Sequence, residues 1–233
     1  MLPINVMYDS GIDEFEEIAI VNGLGELDSM FPGMRIRMYG ASAWCEGEYS
    51  SADWYVHNTR AVPRMDILQL DAGDLIDLIA GEPWQEAEPH IDVMFTSYDL
   101  AAMDGRQYLN FVFGMADGRI TVQSVARYRE LPDFDRYLAI KAVVQHELGH
   151  IFGMASNLGR TNTEYNLGPH CTNSGCIMRQ GLSVSEWVQH ARESHEMGRV
   201  YCPQCLKDKV STYDAIPLGA YAAVAAGGNK IGR

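Results

Sequence analysis

The chain has 233 residues, 47% of them hydrophobic and 21% charged, the balance of a globular protein with one substantial core, or one core split by a cleft. Its formal net charge of -13 argues against nucleic acid or an anionic membrane as partner, since both require clustered Lys and Arg. No window approaches the roughly 18 apolar residues of a membrane span, and residues 1–6 lack the basic-then-apolar pattern of a secretory signal, so a cytoplasmic location is expected.

Residues 4–8 read as a short buried strand, and 11–21 as a helix with Ile12, Phe15, Ile18 and Ile20 on its inner face. Residues 34–39 alternate basic and apolar side chains, as a half-exposed strand does, while 44–60 are polar, aromatic and irregular and read as loop. A helix is expected over 71–79, which begins with capping residues and carries Leu75, Ile76, Leu78 and Ile79, and a strand over 91–98. Two apolar runs, 108–113 and 120–125, are joined by Gly114-Met115-Ala116-Asp117-Gly118, whose Asp-Gly step suggests a turn between antiparallel strands. One long helix is expected over 133–154, with Leu138, Ile140, Val144, Leu148, Ile151 and Phe152 on its apolar side and Gly153 where it should stop. Residues 155–168, rich in Asn, Thr and Gly, read as loop, and 183–197 as a second helix. The stretch 215–233 is small and apolar with no periodic face, and is expected to be loosely held. The sum is a mixed α/β (α+β) chain without internal repeats.

Inside the long helix, Gln145-His146-Glu147-Leu148-Gly149-His150 sets two histidines four residues apart. That is about one helical turn, so both imidazoles leave the same face and can grip one metal ion. Glu147 sits beside that face, where a general base is needed if the metal carries a water. The motif thus implies amide hydrolysis by metal-activated water rather than by a covalent nucleophile. Two exposed or hydrogen-bonded histidines on a helix are the bland alternative.

A zinc centre of this kind needs a third protein ligand and one open position. His170 adjoins a cysteine run and is favoured, with Glu164, Glu186, Glu193, His190 and His195 as rivals. His190 and His195 read better as surface residues of a polar helix, and His57 and His90 as structural or solvated. Arg127 could pair with Asp133 or Asp135 at the helix entry, or meet a substrate carboxylate, and Tyr165 could reach an oxyanion.

Of the five cysteines, Cys45 stands alone as a plain buried or loop residue, while Cys171, Cys176, Cys202 and Cys205 form two pairs. In a reducing compartment such a cluster reads as a metal site, with disulfides as the alternative. Four thiolates around zinc leave no open position, so this second site is expected to be structural, to help hold His170, and to make local folding metal-dependent.

Taken together, His146, Glu147, His150, Gly153, His170, Cys171, Cys176, Met178, Cys202 and Cys205 follow the pattern His-Glu-x-x-His-x-x-Gly-x-x-His-Cys-x4-Cys-x-Met with a later Cys-x-x-Cys. In this the chain resembles the archaemetzincins, a branch of the metzincin clan of zinc peptidases. Upstream, Phe111-Val112-Phe113-Gly114-Met115-Ala116 and Ser124-Val125-Ala126-Arg127 look like the strand pair before that family's zinc helix, so the resemblance runs from about 108 to 205. One departure is that the third histidine, due at position 156, is Ser156 here, and the His-Cys pair comes fourteen residues later, at 170 and 171. This reads as an insertion in a loop, where added length carries a modest entropic cost. The spacing from Met178 to Cys202 is longer than the family's as well.

The resemblance implies a metzincin-like mixed twisted sheet with a long active-site helix and an irregular C-terminal subdomain stapled by zinc. It implies one metalloprotease domain over 1–211, divided at 154/155, with 212–233 as a tail. It further implies two zinc ions per chain, one catalytic and one structural, and Met178 as an apolar floor beneath the first. An edge strand holding Gly114, Ala116 and Val122 would pair with extended substrate. The expected protein is a monomeric peptidase of peptide or protein substrates, aminopeptidase or endopeptidase being open. A zinc domain that binds peptides without cutting, or an amidase of non-peptide substrates, would carry many of the same residues. The intact Glu147 argues against the first.

Overall fold

The computed structural model describes residues 2–42, 51–63, 67–105, 107–156 and 159–208; Cys45, the 212–233 tail and the first part of the 44–60 stretch lie outside them. In chain order the elements are β1 Pro3–Tyr8, α1 Glu14–Met30, β2 Arg35–Gly40, α2 Ala52–Asn58, β3 Ala61–Pro63, β4 Leu68–Asp71, α3 Ala72–Ala80 and α4 Trp84–Ala87. Next come β5 Ile91–Thr96, β6 Asp99–Ala101, β7 Met103–Asp104, β8 Gln107–Tyr108, β9 Gly114–Asp117 and β10 Ile120–Ser124. After a single 3-10 turn at Ala126–Tyr128 follow α5 Asp133–Ile151, β11 Thr163–Glu164, β12 His170–Cys171, α6 Val184–Glu196 and α7 Pro203–Asp208.

The main sheet has the order β2-β1-β5-β10-β9, parallel except for β9, which runs antiparallel to β10 along one edge. Every residue of β1 and β5 is buried, as a parallel sheet covered on both faces requires. Alternation divides the apolar side chains between two cores. Ile91, Val93 and Phe95 join α1 and α5 on one face, while Met94, Ile120 and Val122 join Leu75, Ile76 and Ile79 of α3 on the other. A smaller sheet, β3-β4-β6, adds Leu70 and Leu100 to the second core. No helix among the described residues is long and apolar enough to cross a membrane.

Several sequence expectations are corrected. Helix α1 runs on to Met30, past the expected end at 21, and buries Ala19, Ile20, Leu24 and Leu27 while Ile18 faces solvent. It passes through Gly23 because α5 lies against it there: a Cβ at Gly23 would sit 2.4 Å from Val144 Cγ1. The described part of the 44–60 stretch contains a helix, α2, which buries Tyr55 and Val56.

The expected hairpin is shifted along the chain. Gly114–Asp117, read as a connection, is itself the strand, and the turn is Gly118-Arg119, with Gly118 at φ 56°. Phe113 precedes the strand, its carbonyl accepting the Ser124 N–H at 2.8 Å and its ring stacking on Tyr128 and Trp187. In consequence Gly114 and Ala116 do lie on the sheet's edge strand, but Val122 does not: it is fully buried in β10, between β5 and β9. The stretch 155–168 is not all loop either, since Thr163 and Glu164 pair with Cys171 and His170.

Candidate metal centres

Helix α5 carries His146 and His150 into the molecule near its C-terminal end. The chain then turns through Gly153 at φ 76° and Ala155 at φ 62°, and after the 155–169 segment β12 brings His170 back. The three rings meet, with centroids 4.7 Å (His146–His150), 5.3 Å (His146–His170) and 5.0 Å (His150–His170) apart. One nitrogen from each lies within 4.8 Å of the other two. His146 Nδ1–H donates to the Ile177 carbonyl at 2.7 Å and His170 Nδ1–H to the Gly168 carbonyl at 3.1 Å. Those bonds fix the tautomers and leave both Nε2 lone pairs facing inward, the arrangement a metal-ligating histidine needs.

Electrostatics favour the same role. Burial, together with the neighbouring His170 ring, pushes His146 down to about 3. Burial pushes His170 down to about 4 and His150 well below the ordinary histidine value. All three are therefore neutral at pH 7, as a ligand must be. Glu147, on the same helical turn, is buried and pushed up to about 8 by desolvation. Its carboxyl lies against the edge strand: a Cβ on Gly114 would stand 2.6 Å from Glu147 Oε1. Met178 is fully buried under the helix, its sulfur against Gly149, where a Cβ would be 2.3 Å away. Trp187 meets the His146 ring edge-on and donates its indole N–H to Ala139 O.

The four cysteines form a second cluster one residue further along. Their Sγ atoms lie within 4.8 Å of one another, Cys171–Cys202 at 3.8 Å and Cys176–Cys205 at 3.6 Å, and none is in a disulfide. A zinc–sulfur bond of about 2.3 Å gives a tetrahedral edge of about 3.8 Å, so the spacing fits a closed four-thiolate site. Backbone N–H groups of Asn173, Cys202 and Cys205 point at Cys171, Cys176 and Cys202 sulfurs respectively, at 3.4–3.5 Å. Hydrogen bonds from Cys176 and Cys205 drive the Cys171 thiol down, while Cys176 is driven up to about 12 and Cys205 also up. Thiols this close resist carrying several negative charges without a cation among them.

The remaining candidates sit elsewhere. Glu164 is exposed, Glu186 accepts from the Leu182 N–H, and Glu193 pairs with Arg179. His190 is buried and bonds the Gln180 carbonyl, against the expectation of a surface residue, while His195 is exposed beside Phe134. His57 is exposed and His90 is buried against Asp92. Arg127 forks onto Asp99 at 2.9 and 2.7 Å, not onto Asp133 or Asp135, and Asp135 is taken by Arg192. Tyr165 is exposed. Sequence reading missed Arg160, Asn162 and Asn173, whose side chains touch the cysteine sulfurs. The only signal for them was a concentration of polar residues beside the cysteine run.

No protein-family model matches the chain. It is 32% identical over 107 residues to an archaemetzincin of Pyrococcus horikoshii, covering 42% of this chain and 45% of that one. An archaemetzincin of Pyrococcus abyssi is 31% identical over 108 residues, with 42% and 46% covered. The match thus spans just under half the length of these curated relatives. Among solved structures, archaemetzincin from Methanopyrus kandleri superposes with a TM-score of 0.58 at 22% identity, covering 88% of this chain and 92% of that one. The malonate complex of archaemetzincin from Archaeoglobus fulgidus gives 0.52 at 18%, covering 89% and 99%. The chain is archaemetzincin-like in sequence over the aligned residues and in fold across most of its length.

Proposed function

We propose that this protein is a zinc-dependent peptidase in which His146, His150 and His170 hold the catalytic ion and Glu147 is the general base. The observation that carries the reading is the convergence of three neutral imidazoles beside a buried carboxyl on one helical turn. Held by these three imidazoles, zinc would supply Lewis acidity towards a carbonyl oxygen and a water acidified towards pKa about 7. Glu147 takes the proton of the attacking water and returns it to the departing amine. Among the described residues, strand β9 has no strand partner on its outer edge from Gly114 to Asp117, along which an extended peptide can align next to Glu147. Met178 packs beneath the helix and keeps the histidine-bearing turn in place. The four cysteines hold a second, structural zinc, giving two per chain.

The test combines turnover of a quenched fluorescent peptide with metal analysis. Glu147→Ala should lower kcat about 10^3-fold while the protein keeps two zinc ions, and His170→Ala should bring the zinc content to one. Near-native turnover by Glu147→Ala, or two tightly held ions in His170→Ala, would refute these roles. Cleavage of simple amides without peptides would point instead to a non-peptide amidase.

A further inference from the structure

The segment between the zinc helix and His170 does more than lengthen a loop. Its Arg160 side chain is 7% exposed, and its guanidinium spans the cysteine cluster. Nη2 donates to Cys171 Sγ at 3.3 Å and Nη1 to Cys205 Sγ at 3.4 Å, and Nη1 also pairs with the buried Asp208 carboxylate. Cys171 is on β12, whereas Cys205 and Asp208 are both on α7. Two residues on, Asn162 Nδ2 reaches Cys171 Sγ at 3.9 Å and Gln204 Oε1 at 2.9 Å. Asn173 Nδ2 donates to Cys202 Sγ at 3.2 Å and to the same Gln204 oxygen at 2.7 Å. Strand β11, immediately after, is paired with β12. Four thiolates and one divalent cation leave two net negative charges in a buried place, and such charge is tolerated only when paired and hydrogen-bonded.

We infer that Arg160 is a positioning residue for the four-cysteine site: its fork neutralises part of the thiolate charge and clamps β12 to α7, holding His170 in register through its neighbour Cys171. The inference rests on the proposed structural zinc. Lysine cannot replace the fork fully, because a single ammonium does not span two sulfurs with fixed planar geometry. Removing the donors raises the energy of the sulfur lone pairs, and therefore lowers the energy needed to move an electron from sulfur to a bound metal.

Cobalt(II)-loaded full-length protein reads this directly, because sulfur-to-cobalt charge-transfer absorption comes from the four-thiolate site and not from the three imidazoles. In Arg160→Met that absorption should move to longer wavelength. Zinc release to a chromogenic chelator from the cysteine site should be faster, in step with an affinity loss of about 10–100-fold, as for losing an outer-shell partner. Arg160→Lys should fall between Met and wild type on both measures. Wild-type spectrum and release in Arg160→Met, or in Arg160→Lys should the methionine variant not fold, would overturn the role of Arg160 alone. Wild-type protein that shows no sulfur-to-cobalt absorption would overturn the metal reading beneath it.

Discussion

The contact of Glu147 with Gly114 shows how little room the site allows a single residue. Gly114 Cα faces the carboxyl so closely that an added methyl carbon would lie 2.6–2.8 Å from three Glu147 atoms. Gly114→Ala should fold, since β9 is an edge strand, but it must push the carboxyl aside. A displacement of about 1 Å from productive geometry typically costs about 10^2-fold in rate. We expect a loss of that order in kcat with native circular dichroism and unchanged zinc content; undiminished kcat would show that the close approach has no bearing on turnover. At this scale the sequence disclosed the residues whose relation is local. His146 and His150 are one turn apart, and helical periodicity alone brings them together. Gly114, Arg160 and Asp99 could not be found that way, because each acts on a partner far along the chain: Asp99 lies 28 residues from Arg127, and Cys205 lies 45 from Arg160. His170 was legible through the motif although its spacing departs from the family pattern.

The start of α1 illustrates how one element is fixed to α5. Asp13 and Glu16 form a capping box, each side chain accepting the other's backbone N–H at 2.8–3.0 Å. Glu16, fully buried, also receives Arg129 at 2.8 Å and Arg136 at 2.6 Å. Burial alone would raise its pKa, but those arginines and the Asp13 N–H outweigh it, and Glu16 stands below the ordinary carboxylate range. A depressed folded-state pKa means that the stabilisation is complete above the unfolded value of about 4.3 and is lost as pH falls through the folded one. Glu16→Gln should therefore cost about 3 kcal/mol near neutral pH, because two arginines lose their buried counter-charge. The deficit should shrink in acid, which urea titrations at pH 7 and pH 3.5 measure; an equal deficit at both would exclude the ion pairs as its source. The element boundaries were less legible than these caps. Helix α1, expected to end at 21, runs on to Met30 through Gly23, where Val144 of α5 packs against it. The strand β9 was hidden because Gly114-Met115-Ala116-Asp117 has no β-branched or aromatic residue, whereas the apolar run before it ends at Phe113.

Across the whole molecule the sheet and the 170–205 region differ in what sustains them. The sheet is covered by α1 and α5 on one face and by α3 on the other, with large side chains such as Phe95, Ile4, Leu24 and Leu75 fully buried. Residues 170–205 contribute Ile177, Met178, Trp187 and Tyr201 to the first core, but their strand is two residues long and four cysteines lie among them. Stripping metal with a strong chelator should therefore abolish amide-exchange protection over 170–205 first, while β1 and β5 stay protected, as expected for a region whose folding is coupled to its ligand. Uniform loss across both regions would contradict this division. The mixed α/β class and the order of most elements were readable from hydrophobic periodicity, whereas α2 and the β11–β12 ladder follow from tertiary packing that no local window contains.

Successive side chains on a strand leave opposite faces, and β12 is only His170 and Cys171. A single dipeptide thus feeds an imidazole to one cluster and a thiol to the other. A one-residue slip of this strand would exchange its two faces, so both clusters take their register from the same two residues.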